Sequence, residues 1–205
     1  MDLRNRWALA SSAALAFPTL AHAHHAMGGT TPSNFFEGFV SGLAHPVIGI
    51  DHLLFVLAVG AACYAFRLGA GTVAAFLGCA LAGTLAHYYR LTVPYAEAWV
   101  AASLIVAGAL LLLASRRRMS AWLPAFFALA GLAHGYAYGE SIVGAEATPL
   151  FAYLAGFTLV QIAIALTAYS IARALDRSRP LLANHALGGV LSLAGVVLLA
   201  LSFTG

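Results

Sequence analysis

Six apolar runs, each close to the thickness of a bilayer, constrain this chain more than any other feature. A hydrocarbon core of about 30 Å takes roughly 20 helical residues to cross. Runs of that length lie near 47–66, 68–89, 94–114, 121–138, 150–172 and 181–203. Between them stand Arg67, the stretch from Arg90 to Pro94, "SRRRMS", "GESIVGAEATP" and "RALDRSRP". With 62% hydrophobic residues, 8% charged residues and a mean hydropathy of +0.89, too few polar side chains remain to wet a soluble surface. The expectation is an all-α polytopic membrane protein with six transmembrane helices.

A shorter run, Trp7 to Leu20, follows Arg4 and Arg6 and ends at Ala21-His22-Ala23. A charged start, a short apolar stretch and a small-residue exit read as a cleaved secretory signal over 1–23. An uncleaved amphipathic anchor is the alternative. Residues 24–46 then form an exported segment, in which 33–45 ("SNFFEGFVSGLAH") is too short to span and reads as an amphipathic lead-in helix. Residues 47–205 make the six-helix transmembrane domain. On this topology one side receives Arg67, Arg116, Arg117, Arg118, Arg173, Arg177 and Arg179, and the other only Arg90. The positive-inside rule places the arginine-rich side in the cytoplasm and both mature termini outside. The arginines are thus loop anchors, and the pI of 9.1 calls for no nucleic-acid partner. Cys63 and Cys79 form no C-x-x-C pair and read as packing residues.

Against this background "GLAHPVIGIDHLLFVLAVG", residues 42–60, is costly. A carboxylate or protonated histidine near the bilayer centre costs roughly 2.5–3.5 kcal/mol on insertion scales. His52 falls about 7 Å below the outer surface, and His134, in "GLAHGYAYGE", about 6 Å below it. His87 ends the second run, Glu97 opens the third, and Glu140 and Glu146 follow the fourth, all toward that same side. With Pro46 in the first helical turn and His45 just before it, His52 is about 20° short of two full turns on, so both imidazoles line one face. Asp51, about 100° away, either coordinates or orients a histidine. Imidazole with carboxylate suits nickel, cobalt, zinc or copper. No thiolate cluster accompanies them, which argues against a closed structural zinc site.

The metal candidates are therefore His45, Asp51, His52, His134 and His87, with looser capture at His24 and His25 in the exported "HAHHAMGG". Blander readings stand beside these. His87 or His185 alone suits a helix-to-helix hydrogen bond. Asp51 with His52 suits a proton relay without metal. An aromatic belt accounts for most of Tyr88, Tyr89, Tyr95, Tyr136, Tyr138 and Tyr153. The terminal histidines are alternatively a passive end of the signal peptide.

"HPVIGIDH" followed by "AHGYAYGE", with a leader and six spans, resembles the HupE/UreJ family of nickel and cobalt permeases over essentially the whole mature chain. The resemblance implies a small bacterial inner-membrane protein of a kind often encoded beside nickel enzymes such as hydrogenase or urease, with no permanently bound cofactor. It implies passage of Ni2+ or Co2+ by way of His45, Asp51, His52, His134 and Glu140. The chain departs from the family pattern at Ala133, where a phenylalanine is frequent, and at Tyr138, where another histidine is. Glu140 follows Gly139 directly, one residue early, which leaves Glu146 as a second choice for the acid. No G-x-x-x-x-G-K loop is present to hydrolyse ATP. The rivals are an intramembrane zinc-dependent hydrolase, for which no H-E-x-x-H helix is found, and a non-transporting metal-binding membrane protein. Because imidazole binds a metal only when neutral, uptake is expected to fall as external pH drops through about 6.5. Full uptake at pH 5 would contradict ligation by ordinary histidines.

Overall fold

The computed structural model describes residues 30–114, 121–178 and 181–203. The leader, His24, His25, Arg116, Arg117, Arg118 and Arg179 lie outside the described residues. Seven α-helices occupy the described chain: α1 (Phe35–Ile48), α2 (Ile50–Ala65), α3 (Ala70–Tyr88), α4 (Ala96–Leu112), α5 (Leu123–Gly139), α6 (Ala147–Asp176) and α7 (Leu182–Leu201). A single 3-10 turn, Glu140–Ile142, follows α5, and no strand occurs among the described residues.

The first helix starts where local chemistry tells it to. The Asn34 side chain accepts the Glu37 N–H at 3.0 Å, and the Glu37 carboxylate accepts the Ser33 N–H at 2.8 Å. This reciprocal cap satisfies two donors that the first turn would otherwise leave orphaned. It also corrects the expected position of Pro46, which lies inside α1 near its end instead of opening the next helix. Gly49 then adopts φ −72°, ψ 102°, outside the helical region, and α2 sets off at 80° to α1. His45 and His52 therefore belong to two helices and not to successive turns of one.

Three helices are long and apolar enough to cross a membrane alone: Ala70–Tyr88, Ala147–Asp176 and Leu182–Leu201. The bent pair α1–α2 makes a fourth if counted as one span. At 17 residues each, α4 and α5 are about 26 Å long, short of the 30 Å core. Trp99, Leu129, Leu159, Leu166, Leu193 and Val196 are exposed on helix faces. An apolar exterior of that extent belongs in lipid, so this is a helical membrane protein.

Since lipid is as apolar as leucine, packing between membrane helices depends on small residues that let backbones approach. Gly131, Gly135 and Gly139, four residues apart on α5, lie against Phe76, Ala80 and Thr84 of α3 in parallel register. The Thr84 hydroxyl donates to the Gly135 carbonyl across that seam at 2.9 Å. Gly38 and Gly42 of α1 press on Pro149 and Tyr153 of α6, and Gly108 of α4 meets Gly188 and Ser192 of α7. Helix α2 stands in the middle, with Phe55, Ala58, Val59 and Ala62 fully buried. It runs parallel to α6, since Gly60 lies on Ala165 and the Tyr64 ring meets Tyr169 at 5.7 Å. Gly135→Ala would drive its methyl into the Ala80 carbonyl. The detergent-solubilised variant is expected to lose about 1–3 kcal/mol, seen as a lower thermal midpoint. Gly189→Ala, whose added carbon meets nothing, should leave that midpoint unchanged.

Candidate metal site

The break at Gly49 builds the site. The last turn of α1 supplies His45, and the first turn of α2 supplies Asp51 and His52. The Gly49 N–H still reaches the His45 carbonyl at 3.1 Å, and Leu53 N–H reaches the Gly49 carbonyl at 2.8 Å. Irregular backbone at membrane depth is tolerated where protein or a water-filled cavity surrounds it. Here α5 and α6 do so, and the glycine seam of α5 carries His134 into the same place.

Three imidazoles are brought together: His45, His52 and His134 are 2%, 3% and 1% exposed. His52 Nδ1 lies 2.9 Å from His134 Nδ1, and His134 Nε2 lies 2.9 Å from the Ser103 hydroxyl. The single hydroxyl hydrogen of Ser103 goes to the Val100 carbonyl at 2.7 Å. Ser103 Oγ is then the acceptor from His134 Nε2–H, which leaves Nδ1 of a neutral His134 as a lone pair. His52 must donate its Nδ1–H to that lone pair. Neutral His52 consequently carries its own lone pair on Nε2, which lies 4.0 Å from Asp51 Oδ2. One serine thus fixes the tautomers of two histidines and aims a nitrogen at the carboxylate side.

The walls are aromatic. The Tyr138 ring lies over His52 at 4.2 Å and edge-on to His45 at 5.2 Å, and Phe55 stacks on His134 at 4.2 Å. His45 Nδ1 pairs with the Ser141 hydroxyl at 2.7 Å, and the His45 and His52 ring centres are 5.9 Å apart. Tyr153 donates its hydroxyl to the Tyr138 carbonyl at 2.9 Å. The Tyr138 hydroxyl is buried without a hydrogen-bond partner among the described residues. The aromatic-belt expectation is therefore corrected for Tyr138 and Tyr153, both 0% exposed, whereas Tyr89 and Tyr95 are open to the surroundings.

Other expected ligands are not brought into the cluster. Glu140 and Glu146 are exposed, and the neighbour of Glu140, Ser141, is the one that reaches His45. His87 stacks on the Tyr136 ring at 4.3 Å and donates from Nδ1 to the Tyr136 carbonyl at 2.6 Å. On α7 Asn184 is buried and His185 exposed. Among the described residues no group of three or more His, Cys, Asp or Glu forms a metal cage as it stands. The reason is visible in the geometry: His52 and His134 spend a nitrogen each on one another, and His45 spends one on Ser141. Sequence reasoning missed Ser103 and Ser141. The first had a signal, as a lone hydroxyl inside "WVAASLIVAG"; the second had only its place beside Glu140.

A family model described as HupE / UreJ protein matches residues 12–198. The chain is similar to Protein HupE of Rhizobium leguminosarum bv. viciae, 28% identical over 193 residues that cover 91% of this chain and 94% of that protein. No solved structure matches.

Loss of a partner that orients a ligating histidine typically lowers metal affinity by about 10–100-fold. Ser103→Ala is expected to do this for Ni2+ binding to the purified protein, followed by calorimetry. Affinity equal to wild type would remove Ser103 from the site.

Proposed function

The chain belongs to the HupE/UreJ family, and on that premise we propose that it imports a divalent transition-metal ion, nickel or cobalt, across the bacterial inner membrane without hydrolysing ATP. In this reading six spans carry the chain through the bilayer after a cleaved leader, with both mature termini outside. α2 to α7 are the spans, and α1 leads in beside α6. The observation that supports it is the burial of three imidazoles beside a partly buried carboxylate at a helix break inside an apolar bundle. Such groups are expensive there and are kept where ions or protons pass.

The chemistry follows from the tautomers. A hydrated ion arriving from outside meets the Asp51 carboxylate, 15% exposed along its side chain, and the lone pair on His52 Nε2. The 4.0 Å between them admits an ion with ligand bonds of about 2.0–2.2 Å. Recruiting His134 then requires its Nδ1 to be released from the His52 N–H, and recruiting His45 through Nδ1 requires release from Ser141. Each added ligand therefore replaces an existing hydrogen bond, which keeps the net affinity moderate. Conduction needs this balance, since binding has to be strong enough to enter and weak enough to leave. In this reading Glu140, exposed beyond α5, and His24 and His25 of the exported segment collect ions ahead of the buried site.

The test is uptake of radioactive nickel and cobalt by cells stripped of their own importers. Wild type is expected to accumulate one of them, and a well-expressed His52→Ala variant to lose accumulation by about tenfold or more. No accumulation of either ion by wild type would sink the proposal.

A further inference from the structure

Beyond the histidine cluster, one buried polar atom on the α2–α6 seam has no use in the site already described. Gln161 is 0% exposed; its Nε2 donates to the Phe157 carbonyl at 3.3 Å, while Oε1 is buried without a hydrogen-bond partner among the described residues. An amide oxygen held away from water with nothing donating to it is unfavourable in an apolar bundle. Leucine or methionine would fill the same place without that penalty.

Its level in the bundle is fixed by the register of the two helices. Gly60 lies on Ala165, and Tyr64 meets Tyr169. Carried back along both helices, this parallel register sets Phe157 level with His52 and Gln161 level with Val56, about 6 Å deeper. Gln161 follows Tyr153 and Phe157 at four-residue intervals, on the buried face of α6 that continues through Ala165, Ala168 and Ala172. Opposite stands Gly60 of α2, also buried. Below Gln161 the seam is closed by Gly60 against the Ala165 backbone, a contact of small residues that has to part for an ion to pass. It ends at an open recess bordered by Cys63, Tyr64, Arg67, Tyr169 and Asp176, where the Tyr64 hydroxyl donates to the Asp176 carboxylate at 2.9 Å.

We infer that the α2–α6 seam is the inward route of the transported cation and that Gln161 Oε1 is the ligand it meets on leaving His52. The inference rests on the importer reading above and names a group which that reading does not use. A neutral amide oxygen binds a borderline divalent ion more weakly than imidazole does. A weak ligand between the cluster and the recess lowers the barrier between them without trapping the ion.

The experiment pairs nickel uptake by importer-deficient cells with Ni2+ binding to the purified full chain in detergent. Gln161→Met keeps the length of the side chain and removes both polar atoms. It is expected to bind Ni2+ within about twofold of wild type and to lose uptake by about tenfold or more. Gln161→His, which puts the stronger imidazole ligand there, is expected to bind Ni2+ more tightly and to stay impaired in uptake. Thr167→Val on the exposed face of α6 should behave as wild type. If Gln161→Met takes up nickel as wild type does, the route is overturned and the importer reading stands. If it loses binding together with uptake, Gln161 is a structural residue and the inference fails. Should Gln161→Met not reach the membrane, Gln161→Asn, which withdraws the amide by one methylene, is judged by the same two readouts. A wild type without uptake overturns both readings.

Discussion

The contact between His52 Nδ1 and His134 Nδ1, 2.9 Å long and sealed inside an apolar bundle, sets demands that much of the molecule exists to meet. Two imidazole nitrogens hold that distance only if one is a donor and the other a lone pair. Ser103 imposes the choice by spending its hydrogen on Val100, so that His134 donates toward it. His52 is thereby committed as well, and its outward nitrogen is left facing Asp51. Removing any member of this chain leaves a buried polar group unsatisfied, which costs more than a typical hydrogen bond contributes.

Bringing these groups together takes backbone geometry of two kinds. The break at Gly49 turns α2 through 80°, which lets one short stretch of chain present His45 from a helix C-terminus and Asp51 and His52 from a helix N-terminus. The glycine seams then draw neighbouring helices close enough for a side chain as short as threonine, Thr84, to bond across one of them. Without Gly131, Gly135 and Gly139, α5 would stand off from α3 by the width of a side chain. In this arrangement the three imidazoles are already engaged in hydrogen bonds of their own.

Much of the architecture was legible in the sequence. Composition and run length called a helical membrane protein, and the helices observed between Ala70 and Leu201 start and stop within a few residues of the expected runs. The reason is that lipid leaves the backbone almost no choice: a long apolar stretch must satisfy its own hydrogen bonds, and the helix does so locally. Cost in an apolar medium likewise singled out His45, Asp51, His52 and His134. Those are one-residue arguments, and they need no knowledge of neighbours.

What the sequence could not decide was everything that depends on which helix faces which. Pro46 looked like a helix opener, yet the Asn34–Glu37 cap had already started α1, and the turn came at Gly49. Tyr138 and Tyr153 had the composition of an interfacial belt, and only the tertiary packing of α5 and α6 around the end of α1 put them against His45. Glu140 carried the charge expected of a ligand, while its neighbour Ser141 faces the site. Ser103 and Gln161 owe their importance to partners 31 residues or more away, or to the want of one. The sequence by itself determined the medium, the helices and the costly residues, because each follows from local free energy in lipid. Tertiary structure alone decided tautomer, level and company, because hydrogen bonds are directional and the groups that complete them come from other helices.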